Sequence, residues 1–320
     1  MTIYLPYRLT SLEVFKYFRG LPLDTTETIY FDFQNCRFLD PMAMLVLSSE
    51  IVNLKRTYNV IVTNYFRLTY PAHMGFFRAM GIDFGKSPRR EEFINNYIPI
   101  RIVNAEGIRK HANENGLHYG EYIENYFVPD FLNILTEKLT SNIVEILKYC
   151  IREIIRNIIE HSQCEQFAIC GQYYPARRQI SLAIVDTGIG LRKSLKNNPK
   201  LRISNDLEAI DLALSQGISG KVFSGMKNRP KGTWANSGYG LFMTSSICQI
   251  EGDFTIVSGD AGCHYEKDIK NFFASSYHGT AVNLTISLNL NQNLPILLNT
   301  ISGNLSRVAK PSTASMDIIR

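Results

Sequence analysis

The stretch from Glu153 to Gly190 restricts the fold most, because a helical period gives way there to two strand-like runs and then to a glycine turn. Ile143, Ile146, Leu147, Ile151, Ile154, Ile155 and Ile158 recur at helical spacing and predict an amphipathic helix over Ile143–Ile159. Glu153 and Asn157, four apart, fall on one face beside that stripe. After the polar break His161–Gln163 come two predicted strands, Gln166–Tyr174 and Gln179–Val185. The second runs into Asp186-Thr187-Gly188-Ile189-Gly190, an acid at the tip of a buried strand followed by two glycines two apart. Such a turn lets backbone approach a flat or charged ligand closely.

Two further glycine motifs follow. Ser237-Gly238-Tyr239-Gly240-Leu241 opens a predicted helix over Leu241–Gln249, whose first N–H groups favour anions. Gly279-Thr280 leads into a predicted strand, Ala281–Leu288. Between them and Gly190 lies a long insert with a helix expected at Leu207–Leu214, a turn at Gln216–Gly220 and a polar, glycine-bearing loop at Lys221–Asn236. Loops of that length are usually functional or disordered.

Taken in this order, Glu153-x-x-x-Asn157, Asp186-x-Gly188-x-Gly190, Gly238-Tyr239-Gly240-Leu241 and Gly279-Thr280 resemble the motif boxes of the GHKL ATPases, the group that includes histidine kinases and anti-sigma-factor kinases. The resemblance spans residues 130–290 and implies a Bergerat-type α/β sandwich whose sheet carries helices on one face, with ATP and Mg²⁺ bound under a lid at 191–237. It gives Glu153 the attacking water, Asn157 the Mg²⁺ ion, and Asp186 the adenine amino group. Gly188 and Gly190 would let the main chain pass the base, Gly238, Gly240 and Leu241 would border the phosphates, and Thr280 would reach the adenine through its hydroxyl or a water. The residue chemistry agrees with these roles: an amide oxygen suits Mg²⁺, which keeps several waters, and a carboxylate one turn away can orient or deprotonate water. Lys221, Lys227, Arg229 and Lys231 in the lid are candidates to contact phosphates. His161, at the predicted helix end, suits the helix dipole and is not assigned to catalysis.

Upstream, strands are expected at Thr28–Phe33 and Tyr58–Thr63, with an apolar helix over Pro41–Lys55 between them and a short helix at Phe76–Met80, making a small α/β unit. The run Asp32–Asp40 followed by a helix, with the later Phe76–Ile82, is similar to the STAS fold of anti-sigma-factor antagonists. In that family the acid is followed by two serines, the second of which is phosphorylated. Here Pro41-Met42-Ala43-Met44 follows Asp40, so the resemblance implies an exposed helix start that docks an ATP-binding domain without phosphate control. The expected organisation is therefore an α/β chain with an N-terminal STAS-like domain at 1–88, a linker or extension at 89–128, a GHKL ATP-binding domain at 129–292 and a tail at 293–320.

Six cysteines without a CxxC pair, mostly in apolar runs, argue against a disulfide framework or a zinc site. The Lys and Arg residues behind the net charge of +5 are scattered, which does not indicate nucleic acid. No apolar run approaches the ~18 residues of a membrane span, and the start lacks a leader pattern; the expectation is a cytoplasmic chain. Three readings of function stay open: slow ATP hydrolysis that switches a conformation or a homodimer, a nucleotide-gated module that holds a protein partner, and a Ser/Thr protein kinase acting on an antagonist protein.

Overall fold

The computed structural model describes residues 1–19, 28–85, 96–220, 238–250, 252–267 and 269–303. The charged stretch Lys86–Glu92, the loop Lys221–Asn236 with its four basic candidates, Ser237 and the segment Lys310–Ser315 lie outside the described residues. The chain is mixed α/β. Its first part runs β1 (Thr2–Tyr4), β2 (Arg8–Leu9), β3 (Ile29–Asp32), β4 (Phe38–Leu39), α1 (Pro41–Leu54), β5 (Val60–Thr63), α2 (Thr69–His73) and α3 (Phe76–Ala79). A parallel sheet in the order β1-β3-β5 is joined across by α1, and β2 pairs with β4 beside it.

The helix α1 starts where the sequence provides a cap. The Asp40 carboxylate accepts from the Ala43 N–H at 2.7 Å and the Ser11 N–H at 2.6 Å, and Pro41 takes the first helical position. Every residue from Pro41 to Ser48 is buried. A helix apolar on all sides must be covered on all sides. One face of α1 rests on its own unit, and the other lies on β7, β8 and β10 of a second, larger sheet.

That sheet belongs to the second part: β6 (Tyr97–Asn104), α4 (Ala105–Glu114), α5 (Tyr119–Tyr122), α6 (Val128–Leu132), α7 (Ser141–Asn157), β7 (Gln166–Tyr174), β8 (Gln179–Asp186), α8 (Gly190–Leu195), α9 (Asp206–Ala213), α10 (Gly240–Ile250), β9 (Gly252–Glu266), β10 (Ile269–Ser287) and α11 (Leu294–Gly303). It is antiparallel in the order β6-β7-β8-β10-β9. The strand period of two sorts β8 cleanly. Ile180, Leu182 and Ile184 pack into one core with Ile146, Ile151 and Met243 of α7 and α10, whereas Ala183 and Val185 join Met42, Met44 and Leu45 of α1 on the opposite face. Small side chains on that second face, Ala183, Ala281 and Cys170 among them, give α1 room to lie close. The Cys170 thiol reaches the Pro41 carbonyl at 3.6 Å.

Several expectations change at this level. Helices cover both faces of the large sheet, not one, because α1 of the first unit fills the second face. The helix start is accordingly covered rather than exposed, with Pro41–Met44 buried. Within the stretch read as a linker or extension, the run Tyr97–Val103, itself strand-like in sequence, is part of the edge strand Tyr97–Asn104 of the large sheet, paired with β7. Within the stretch read as a tail, Leu294, Leu297 and Leu298 of α11 are buried in the core shared with α7 and α10. All six cysteines lie among the described residues and stand as thiols. Among the described residues no helix is long and apolar enough to cross a membrane.

Candidate functional site

The α7 helix is capped by Thr140, whose hydroxyl accepts from the Ile143 N–H at 3.4 Å, and runs to Asn157 as the apolar stripe predicts. It does not stop there. Residues Ile158–Ser162 continue it as a wider π-helical turn that closes at Gln163, in left-handed conformation at φ 57°. Widened turns of this kind recur at functional sites. Here the turn delivers the Ser162 carbonyl to the end of β8, where it accepts from the Ile189 N–H at 2.8 Å.

Gly188 is the residue this contact demands. An added Cβ would collide with the Ser162 carbonyl, so the glycine serves the junction between helix and turn. It does not line the cleft, whereas its neighbour Gly190 does. A second close approach involves Gly240, the first residue of α10: a Cβ there would run into the Glu153 carboxylate. The start of α10 and the last full turn of α7 meet because that position has no side chain.

These elements enclose one cleft. Glu153 and Asn157 from α7, Asp186 from the end of β8, Gly190 from the start of α8, Gly238, Gly240 and Leu241 from the start of α10, and Thr280 from β10 all line it. Ile184, Ile256 and Val282 form an apolar floor, and Ile218, Ser219 and Gly220 close one side. The space amounts to about 980 Å³ with its open mouth included. His161 also lines it, with Nε2 3.8 Å from Glu160 Oε2.

Asp186 is buried at the bottom. Its Oδ1 accepts from the Gly188 N–H at 2.8 Å, and Thr280 donates both its N–H and its hydroxyl to the same carboxylate. Burial pushes its pKa up to about 7; these three donors pull the other way and only partly offset it. Ser258 completes the local frame, donating to the Gly279 carbonyl at 2.8 Å and accepting from the Leu191 N–H at 2.9 Å.

Glu153 is held by charge. Arg152 donates to its Oε1 from Nη2 at 2.8 Å and from Nε at 3.1 Å, and Arg156 Nη1 stands 3.6 Å from the same oxygen. Arg152 also reaches Glu124 at 3.0 Å and Arg156 reaches Glu160 at 3.2 Å, which lets two nearly inaccessible guanidinium groups exist inside the protein. Oε1 is thus committed to arginine, and Oε2 is the atom directed to the start of α10.

Reasoning from sequence overlooked Arg152, Arg156, Ser162 and Ser258. The Glu153–Arg156 pair was visible as an i,i+3 spacing. Ser258 left no local signal, because β9 itself had not been recognised and the serine acts through partners at 191 and 279.

No group of three or more His, Cys, Asp or Glu side chains able to hold a metal ion occurs among the described residues. The fold and site define a mixed α/β protein with a cleft at the ends of α7 and β8, the start of α10 and the middle of β10. Compared with protein-family models and with curated proteins, the chain matches none.

Proposed function

We propose that the chain is an ATP-binding protein of GHKL type with an N-terminal STAS-like unit, which hydrolyses ATP slowly to switch its conformation or its association. The observation that carries this reading is the convergence of Glu153, Asn157, Asp186, Gly190, Gly240, Leu241 and Thr280, from four separate stretches of sequence, on one cleft. The residues fit the nucleotide in kind: a buried carboxylate for an amino group, an apolar floor for a flat ring, and a glycine-opened helix start for phosphates. Asn157 would give Mg²⁺ one oxygen, and the ion would neutralise phosphate charge with the rest of its shell from phosphates and water.

Within this reading Glu153 orients the attacking water through Oε2 while the two arginines fix the other oxygen. That same pairing favours a second reading, a nucleotide-gated module that retains ATP and holds a protein partner, because one carboxylate oxygen is already taken by two cations and only Oε2 is left to meet a water. The test uses the full chain with Mg²⁺ and ATP labelled on the terminal phosphate. Binding with release of free phosphate supports hydrolysis; binding with retained ATP supports the gated module; label on a partner protein points to a kinase. Absence of binding by calorimetry overturns the proposal.

A further inference from the structure

The stretch of β10 that carries Thr280 is the least regular part of the large sheet. Its register with β9 shifts between Ala274 and Tyr277 and again between Tyr277 and Thr280. A bulged strand leaves main-chain groups without ladder partners, and such groups must be satisfied elsewhere. Here the N-terminal unit packs against the bulge and meets one of those groups. Phe15 packs on Phe273 and, edge on, on Tyr277, with ring centres 6.2 and 6.1 Å apart. Ser49 and Tyr277 bring their hydroxyls to 3.4 Å, and the Glu50 carboxylate accepts the His278 N–H.

We infer that Glu50, on α1, is a positioning residue for the adenine end of the cleft: by holding the His278 N–H it fixes the irregular strand that presents Thr280 to Asp186. The inference rests on the ATP reading. Glu50 sits in a cavity between α1 and the back of the large sheet that Thr187 and His278 also line, directly behind the turn bearing Asp186. A carboxyl group taken partly out of water is costly unless it has a partner, and the bulge supplies one. From His278 the chain needs two steps to reach Thr280, whose N–H and hydroxyl both bond Asp186. Main chain tethered at that distance has little freedom to withdraw the threonine. The N-terminal unit therefore takes part in shaping the base site although none of its residues lines the cleft.

The experiment compares full-length wild type, Glu50→Ala and Glu50→Gln. Glu50→Ala should lose about tenfold in affinity for both ATP and adenosine, as expected for one charge-assisted hydrogen bond, leaving the ratio between the two ligands unchanged. Glu50→Gln, which keeps an acceptor oxygen, should stay within about threefold of wild type, since a neutral hydrogen bond retains much of the interaction. A Glu50→Gln variant that falls as far as Glu50→Ala, or a Glu50→Ala variant that binds adenosine like wild type, overturns the inference. Amide hydrogen exchange without nucleotide reads the tether itself: Glu50→Ala should speed exchange at residues 278–280 and leave α7 unchanged. Unaltered exchange there sinks the tether even if wild type binds ATP well. Wild type that binds neither ligand refutes the nucleotide reading and the adenine role of Glu50 together.

Discussion

Thr280 and Asp186 stand opposite each other in the ladder between β10 and β8, and the threonine donates both N–H and hydroxyl to the aspartate. A carboxylate fixed from one side in this way has its remaining acceptor capacity directed into the cleft. We expect Asp186→Asn to keep the fold, because the strand behind it is held by Ile180, Leu182 and Ile184. The affinity for ATP should fall by one to two orders of magnitude, corresponding to about 1.5–3 kcal/mol for a hydrogen bond to a charged group. Calorimetry together with a thermal melt checks both halves; wild-type affinity would end the assignment of Asp186 to the base.

Binding should be linked to protons. Asp186 is raised to about 7 by burial, so near neutral pH part of the population carries the proton. A ligand N–H donated to the carboxylate favours the ionised form. Affinity for adenosine is therefore expected to rise as pH goes from about 5 to above 7, with proton release on binding. Titrations in buffers of different ionisation enthalpy read the released proton directly, and a flat profile contradicts the prediction.

Stability without ligand should move the other way. Asp40 is raised to about 6, and Glu50 and Asp186 to about 7, in each case first by burial. The folded chain then holds protons that the unfolded chain has released above pH about 4, and the stability this contributes is present at low pH and lost as pH rises through 6 to 7. Melting temperature measured from pH 5 to 8 should decline, and Asp186→Asn should flatten the slope.

Glu153→Gln and Asn157→Ala separate water activation from ion binding. Glu153→Gln should bind ATP like wild type and lose phosphate release by about 10²-fold or more, the usual scale for a group that handles the attacking water. It should also melt several degrees lower, because Arg152, 1% exposed, loses an ionised partner. Asn157→Ala should instead abolish the advantage that Mg²⁺ gives to ATP binding. Equal phosphate release by Glu153→Gln and wild type favours a role for Glu153 that is purely structural.

Met42 tests the seam between the two units. It is fully buried in the cluster that α1 shares with β7, β8 and β10, so Met42→Asp places an unpaired charge in an apolar contact at a cost of about 3–5 kcal/mol. The expected result is separation of the units, read as alkylation of Cys170, which in the intact protein is buried against the Pro41 carbonyl. A Cys170 that stays protected in this variant, at unchanged melting temperature, shows that the seam tolerates the charge.

The sequence alone determined the elements whose periods are local. The stripe on α7, the strand run of β8, the apolar helix α1 and the glycine motifs at 188–190 and 238–240 were readable because helix, strand and turn are each set by residues within a few positions of one another. It also put Glu153 and Asn157 on one face, since four residues make about one turn. What tertiary structure decided is everything that depends on a partner distant in the chain. The helix α1 read as largely apolar with an exposed start, and what covers that start is the far face of a sheet that begins at Tyr97. Gly188 was read as a residue for a ligand, and its close approach to Ser162 could not be read beside that, because a missing Cβ has no sign of its own and only packing shows which atom fills the space. The pairing of Glu153 with Arg152, and the grip of Glu50 on His278, follow from side-chain directions and a strand bulge that no local pattern encodes.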